Sequence, residues 1–281
     1  MLAALFAPCD PNIDALFLVC RQCVFTSTEL EKTAHSLRKA LLGIVNTMRM
    51  RCTDTRVKAV TKRVQQLREL VTTNDSQRFD EASPQDSGEL LLTLCGLLGV
   101  DSNVNSSRLV VQGTNNLLSD DNMVTTTDRL ESVGVCVVVP MSTAVSASST
   151  ANMLISRDSA VLENPYLSKY IRRVTTRTYV PITSFCLIID RREGGASFDN
   201  RPIPINDEII MAGDRTFRLA SIVLYRAGHY TCCYRDSNIN SWVLYNDAAK
   251  PSCVTIDTTL ARTIQQTNAQ TNATVLIYSR R

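Results

Sequence analysis

The chain has few of the residues on which much of catalytic chemistry depends. It contains only two histidines, His35 and His229, and one tryptophan, Trp242. Histidine-dependent chemistry therefore has two candidates, and a histidine-rich metal site is excluded. The one C-x-x-C pair, Cys20 and Cys23, lies in an apolar run without a second pair at zinc-ribbon spacing, so we interpret it as buried packing.

The chain also lacks a charge excess and a long apolar run. Its 30 basic residues nearly balance its 27 acidic residues, which leaves a formal net charge of +3. This balance provides no strong field for nucleic acid, and no such partner is expected. With no span-length apolar run and no basic segment before the first apolar residues, we expect a protein of the cytoplasm or nucleus, without a membrane partner.

The 281 residues are 44% apolar, enough for one large domain or two small ones with an ordinary core. The ten cysteines are irregularly spaced, which is typical of reduced thiols rather than of a disulfide framework. We therefore expect a fold held by packing.

Apolar residues recur at helical spacing in four segments of the first hundred residues. The predicted helices run from Asp10 to Phe25, from Thr26 to Val45, from Arg56 to Val71 and from Ser83 to Leu98. Pro11 is predicted in a first turn, which places Cys9 at or just before a helix N-terminus. In the fourth helix, Ser83 is predicted as the N-cap and Asp86 as an acid of the first turn.

The composition changes after Gly99. Residues 100–160 are rich in Ser, Thr, Asn and Val, and we interpret them as an insertion with short strands and mobile connections. From Tyr179 onward the pattern is β-rich, with predicted strands at Ser184–Asp190, Glu208–Met211, Arg218–Tyr225, Tyr230–Arg235, Trp242–Tyr245 and Thr274–Tyr278. Helices first and strands later predict an α+β fold with two unlike lobes and a cleft between them.

His229 lies between a glycine and a β-run, and Trp242, Tyr245, Asn246 and Asp247 follow. A histidine that moves a proton near neutral pH needs a partner that holds its ring and tautomer, and Asn246 and Asp247 can be adjacent to it across a hairpin. A thiol at the positive end of a helix is the matching nucleophile, and Cys9 fits best. Together these residues predict cysteine-dependent acyl transfer.

Several motifs resemble the ubiquitin-specific protease family of deubiquitinating enzymes. Gly228-His229-Tyr230-Thr231 resembles its histidine box, and Trp242-Val243-Leu244-Tyr245-Asn246-Asp247 resembles the strand that carries its third catalytic residue. Gln85-Asp86-Ser87-Gly88-Glu89-Leu90-Leu91 is similar to its glutamine-aspartate box, and Ala273–Tyr278 to its closing strand. At the start of the chain, Leu2, Leu5, Cys9 and Asn12 fall in register with its cysteine box.

The resemblance implies a papain-like cysteine protease in one catalytic domain over residues 1–281. Residues 1–99 would form a helical thumb, 100–178 a reduced, zinc-free fingers-like insertion and 179–281 a β-rich palm. Such a compact, divergent chain is similar to viral members of the family, which act in the host cell. No metal or cofactor is implied, and a monomer is favoured.

The resemblance also implies roles for individual residues. Cys9 would be the nucleophile, His229 the general base and acid, Asn246 the orienting residue and Asp247 a supporting acid. The partner would be ubiquitin, with ubiquitinated proteins as substrates and cleavage after its terminal Gly-Gly. The residues implied in holding that tail are Gln85, Asp86, Gly228 and Tyr230, of which the last two would wall a narrow passage.

Two departures from the family leave alternatives open. Ala4 stands five residues before Cys9, where the family has an asparagine that donates to the oxyanion, and Gly88 replaces a side chain that helps hold the tail. Loss of one oxyanion donor lowers turnover by roughly a hundredfold to a thousandfold. A catalytically weakened ubiquitin-binding module is therefore the alternative to the protease, and a protease for a ubiquitin-like modifier is a third possibility.

Overall fold

The computed structural model describes residues 1–19, 27–49, 54–74, 86–100, 107–117, 120–132, 134–164, 169–181, 183–192, 197–211 and 214–281. Only the backbone is described for residues 54–61, 107–117, 120–132, 156–164, 169–175 and 177. The helices are α1 (Leu2–Phe6), α2 (Pro11–Asp14), α3 (Thr28–Arg49), α4 (Asp54–Asn74), α5 (Ser87–Leu97), α6 (Met141–Ser146), α7 (Leu260–Thr267) and α8 (Ala269–Asn272). A π-helical turn at Ala15–Val19 continues α2, and a 3-10 turn covers Ala151–Leu154.

The helix starts follow from their capping residues. The Asp10 side chain accepts hydrogen bonds from two backbone N–H groups of α2, and Pro11 takes the first helical position, as predicted. Helix α5 begins later than predicted, because Asp86 rather than Ser83 is its N-cap. The carboxylate of Asp86 is thus a cap and not a free acid of the first turn. The predicted ends at Phe25 and Ser83 lie outside the described residues.

The strands form two sheets. They are β1 (Ser107–Leu117), β2 (Asp120–Ser132), β3 (Cys136–Pro140), β4 (Ile155–Asn164), β5 (Lys169–Pro181), β6 (Ser184–Asp190), β7 (Glu208–Met211), β8 (Arg215–Arg226), β9 (His229–Asp236), β10 (Ser241–Tyr245), β11 (Cys253–Asp257) and β12 (Ala273–Arg280). The larger sheet has the order β11-β10-β9-β8-β12-β6-β3, with β7 paired to the start of β8. All of its pairs are antiparallel except β3 with β6.

The larger sheet separates two hydrophobic cores. Alternate residues of a strand point to opposite faces, so Val223 of β8 belongs to the core under helices α1, α3 and α5, while Ile222 and Leu224 belong to the other core. The second core holds Trp242 and the stacked rings of Phe185 and Tyr278. Because both faces are buried, the central strands are nearly continuous apolar runs.

The second sheet is antiparallel, with the order β2-β1-β5-β4, and its strands lie between residues 107 and 181. We predicted short strands and mobile connections over residues 100–160. Strand β3 in this range is short, with 5 residues, whereas β1, β2 and β4 have 10 to 13 residues. Their Thr- and Asn-rich sequences lack the apolar alternation that marks a half-buried strand. Backbone pairing across three neighbouring ladders holds them instead.

Candidate active site

A tight hairpin positions His229. Strands β8 and β9 are joined by Ala227 and Gly228, whose φ angles of 51° and 83° are those of a two-residue hairpin turn, and Arg226 pairs with His229 directly after it. Gly228 is exposed, and a Cβ at its position would meet no atom within 4 Å. The glycine thus supplies a left-handed turn residue at the start of β9.

The structure brings His229 together with Asn246 and Asp247. The His229 Nε2 lies 2.9 Å from the Asn246 Oδ1 and 3.3 Å from an Asp247 carboxylate oxygen. Antiparallel pairing of β9 with β10 places the end of β10 beside the start of β9, which explains the approach. The side chains of His229 and Asp247 are 43% and 66% exposed, so the cluster is open to solvent and to a ligand.

The surroundings of Asn246 define the orientation of the imidazole. Its backbone N–H donates to the Ser252 carbonyl at 2.8 Å, and its Oδ1 accepts from the Ala248 N–H at 3.0 Å. An atom that accepts from a backbone N–H is the amide oxygen, so the His229 Nε2 must be the donor in the histidine pair. The lone pair of neutral His229 is then on Nδ1, which has no hydrogen-bond partner among the described residues.

A second contact joins the helices to the sheet next to His229. The Tyr230 hydroxyl donates to the Asp86 Oδ2 at 3.0 Å. Burial, followed by the charge of Asp86, raises the pKa of Tyr230, which keeps the phenol protonated as a donor. Two of the residues predicted to hold a substrate tail are thus in contact, whereas Gln85 lies outside the described residues.

A groove of about 390 Å³ ends at this contact. Its walls include Asp86 and Glu89 from α5, Ile188 from β6, and Arg192 and Tyr230 from the sheet side. Helix α5 approaches β6 closely because it carries a glycine here: a Cβ on Gly88 would lie 2.6 Å from a methyl carbon of Ile188. Helix α5 and strand β6 therefore leave no space for a side chain at Gly88. Sequence reasoning gave no site role to Glu89, Ile188 or Arg192, because no local pattern shows which residues meet in a cleft.

Cys9 has other neighbours than His229. Its thiol donates to the Ala7 carbonyl at 3.5 Å, and its side chain is exposed. Arg49 lies beside it, in a bidentate ion pair with Asp14, and its pKa is raised first by the hydrogen bond to Asp14 and in smaller part by Cys9. No hydrogen bond within the described residues joins Cys9 to His229.

The segment that follows Cys9 is attached to the far end of β8. The Asn12 amide donates to the Ser279 hydroxyl at 3.1 Å, and Ser279 pairs with Arg218. His229 instead pairs with Arg226, and the eight-residue separation between these two β8 positions is roughly 26 Å at about 3.3 Å per residue. The expected approach of the predicted nucleophile to the histidine is therefore not found.

The beginning of α1, rather than its end, approaches the histidine cluster. Helix α1 packs on β8 and β9. Burial lowers the pKa of the Met1 amino group, and the nearby Cys232 and Asp247 oppose that effect. Ala4 is 1% exposed, and its carbonyl accepts a hydrogen bond of 2.6 Å from Ser221. Since the oxyanion argument for Ala4 depended on Cys9 as nucleophile, it does not apply.

The described part of the chain contains no group of three or more His, Cys, Asp or Glu side chains arranged to hold a metal ion. Within the same residues, every helix is too short or too polar to cross a bilayer.

Solved structures show the same arrangement of helices and sheets. The SAGA Ubp8/Sgf11/Sus1/Sgf73 DUB module bound to ubiquitin aldehyde matches with a TM-score of 0.64 at 14% identity, over 100% of this chain and 66% of that chain. The fold is deubiquitinase-like. A form of the module with a substituted Ubp8 and a shortened Sgf11 matches with a TM-score of 0.62 at 12% identity, again over 100% and 66%. A further Ubp8-Sgf11-Sgf73-Sus1 module matches with a TM-score of 0.58 at 13% identity, over 100% and 64%.

Sequence comparisons add no closer relation, since no family model and no curated protein matches the chain. This deubiquitinase-like chain spans about two thirds of the length of the solved chains it matches. At these identities the likeness concerns the fold, and the function has to be argued from the site.

Proposed function

We propose that this chain binds the C-terminal tail of ubiquitin and supplies the acid–base half of a thiol-type deubiquitinase site. The observation that carries the proposal is the 2.9 Å hydrogen bond between His229 and Asn246, beside a groove between helix α5 and the sheet. A likeness to a DUB module bound to ubiquitin aldehyde supports ubiquitin as the partner. In this proposal residues 1–99 act as thumb, 100–178 as fingers and 179–281 as palm.

The orientation of His229 suits proton transfer to and from a thiol. With Nε2–H donated to Asn246, the Nδ1 lone pair is available to remove the thiol proton. The thiolate attacks the carbonyl carbon of the terminal glycine, and collapse of the tetrahedral intermediate breaks the C–N bond as His229 returns the proton to the leaving amine. Water, deprotonated by His229, then hydrolyses the thioester. Asp247 stabilises the imidazolium, and no cofactor is needed.

The thiol that reacts at this site has to approach from the N-terminal side of α1, because the Met1 amino group lies near Asp247, which itself lies 3.3 Å from His229.

Asp86 and Tyr230 are proposed to receive the tail, together with Gln85 from the same sequence box. Gly-Gly ends lack side chains, so they can pass where helix α5 and strand β9 lie within hydrogen-bond distance. The acidic Asp86 and Glu89 leave the groove suited to backbone N–H donors.

A second function is favoured by one observation. Among the described residues, no thiol is hydrogen-bonded to His229. The chain would then bind ubiquitin without cleaving it. In the protease and in the binding module alike, the ubiquitin tail occupies the groove. The protease has a nucleophile next to His229, and the binding module does not.

A ubiquitin probe with an electrophilic C-terminus separates these functions. We expect no Cys9-dependent adduct with the present chain, but ubiquitin binding that is lost when the probe lacks its terminal Gly-Gly. An adduct that persists in Cys9→Ala and disappears with His229→Ala would show that another thiol of the chain serves as the nucleophile.

Two results would contradict the proposal. An adduct lost in Cys9→Ala would restore Cys9 as the nucleophile, and absence of any tail-dependent binding would remove ubiquitin as the partner. Probes built on ubiquitin-like modifiers with the same Gly-Gly end, tested in competition, show whether ubiquitin is the preferred modifier.

A further inference from the structure

Both oxygens of the Asp86 carboxylate accept hydrogen bonds from the protein. Its Oδ1 accepts from the Gly88 N–H at 2.6 Å and from the Glu89 N–H at 3.3 Å, which caps helix α5. Its Oδ2 accepts from the Tyr230 hydroxyl at 3.0 Å. One side chain therefore caps a helix and ties that helix to strand β9 at the same time.

The Tyr230 hydroxyl is held in place from the other side. Its ring lies 4.8 Å from the ring of Tyr225, which in turn lies 5.0 Å from the ring of Phe198. The Arg192 guanidinium covers Tyr225 at 5.4 Å and donates to its hydroxyl at 3.2 Å. Packing between these rings limits the motion of Tyr230, so its bond to Asp86 is a preorganised contact.

This bond links the groove to the strand that begins with the histidine. Asp86 and Tyr230 both line the groove, and Tyr230 is the neighbour of His229 in strand β9. In the proposed function, an extended tail that runs along the groove towards His229 passes helix α5 and strand β9 at this bond. To donate a hydrogen bond to the Oδ2 of Asp86, a backbone N–H of the tail has to displace the Tyr230 hydroxyl.

We infer that the Asp86–Tyr230 hydrogen bond is a latch, which closes the passage between α5 and β9 in the free protein and opens when a tail N–H replaces the Tyr230 hydroxyl on Asp86. The inference rests on the proposed function, since it makes a Gly-Gly tail the ligand that opens the latch. Tyr230 is thereby a positioning residue that lowers affinity for the tail, rather than a wall that increases it. The apparent affinity is reduced by the fraction of molecules that are closed.

The test measures ubiquitin binding by calorimetry for the wild type and three variants. Tyr230→Phe removes only the hydroxyl and should tighten binding about threefold to tenfold, which corresponds to the net free energy of one ordinary hydrogen bond. Asp86→Asn keeps the helix cap but weakens the acceptor, and should loosen binding. Tyr245→Phe removes a phenol of the neighbouring strand β10 and should leave the affinity unchanged.

A truncated ubiquitin that lacks its Gly-Gly end distinguishes a latch from a general change in stability. The advantage of Tyr230→Phe should disappear with this ligand, because it never reaches Asp86. Equal or weaker binding of full-length ubiquitin by Tyr230→Phe would overturn the latch while leaving the proposed function intact.

Amide hydrogen exchange in the free protein tests the latch without ubiquitin. Tyr230→Phe should speed exchange in the first turn of α5 and the first residues of β9, whereas Tyr245→Phe should not. If no variant binds ubiquitin, the proposed function fails, and exchange alone decides the latch: faster exchange supports it for another ligand, and unchanged exchange refutes it. Circular dichroism establishes that each variant is folded.

Discussion

The structure contains the predicted contact between His229 and Asn246 but no hydrogen bond among the described residues between Cys9 and His229. The two contacts differ in the number of residues that separate the partners along the chain. His229 forms a hydrogen bond with Asn246, 17 residues away, because strand β9 pairs directly with strand β10. Cys9 was predicted to reach the same histidine across 220 residues, and its thiol lies instead beside Arg49. Local strand pairing fixes register, whereas a long-range contact depends on which surface of a helix packs on the sheet.

Helix α1 shows why the N-terminal motif misled. Leu5 and Phe6 are each 1% exposed and fill the core between α1 and the sheet. The leucine spacing that resembles a cysteine box is therefore also the spacing of a buried helix face. In such a segment apolar register alone cannot locate a nucleophile, because the cysteine that follows it is positioned by the helix end.

The largest expected effect separates the two residues directly. In a form of the protein that cleaves a fluorogenic ubiquitin amide, His229→Ala should lower kcat by about 10²- to 10⁴-fold, because proton transfer in both half-reactions is lost. Cys9→Ala should leave kcat within about twofold, since its thiol lies by Ala7 and Arg49. Steady-state kinetics at several pH values provide the measurement. Equal losses in the two variants would show that Cys9 does reach the site.

Asn246 provides the next test, because it orients His229 without touching the substrate. Asn246→Ala should lower kcat by more than about tenfold, equivalent to roughly 1.4 kcal/mol, with little change in KM. Asp247→Asn should have a smaller effect, since its carboxylate is 66% exposed and 3.3 Å from the ring. The pH profile of kcat should shift in both variants, which a purely structural role would not produce. A loss confined to KM would argue against the orienting role.

The sequence allowed a correct prediction where the apolar pattern of a segment is typical of only one kind of secondary structure. Strands β6 and β7 have the predicted bounds, Ser184–Asp190 and Glu208–Met211, and the partners of His229 followed from adjacent strands. Strand β11 and helix α7 were missed, because Cys253–Asp257 is mostly exposed and Leu260–Thr267 buries only Thr263 completely. Strand β11 therefore carries no clear apolar alternation, and α7 carries only one apolar pair at helical spacing, Leu260 and Ile264, which packs against the second core.

The groove depends on close packing between helix α5 and strand β6. Alanine substitutions at Gly88, in this packing, and at Gly228, in the hairpin turn, compare the stability effects of the two regions. Gly88→Ala should destabilise the fold by about 1 to 3 kcal/mol, because its Cβ would lie 2.6 Å from a methyl carbon of Ile188. Gly228→Ala has open space but a φ of +83°, so it should cost only about 1 kcal/mol. Urea unfolding followed by tryptophan fluorescence measures both. A larger loss in Gly228→Ala would mean that turn strain, rather than lobe contact, dominates this region.

The smallest effect compares the buried thiol near the site with the exposed one. Burial raises the pKa of the Cys232 thiol to about 12, so its neutral form is favoured in the folded protein. The stabilisation is complete below the ordinary thiol pKa of 9.0 and is lost as the pH rises towards about 12. We expect Cys232→Val to reduce the alkaline loss of stability by about 1 kcal/mol at a pH near 10, measured as the urea midpoint, whereas Cys9→Ser should leave it unchanged.

Maleimide should label Cys9 but not Cys232 in the native protein at neutral pH, and rapid labelling of both would mean that the β9 face of the core opens more readily than its packing indicates.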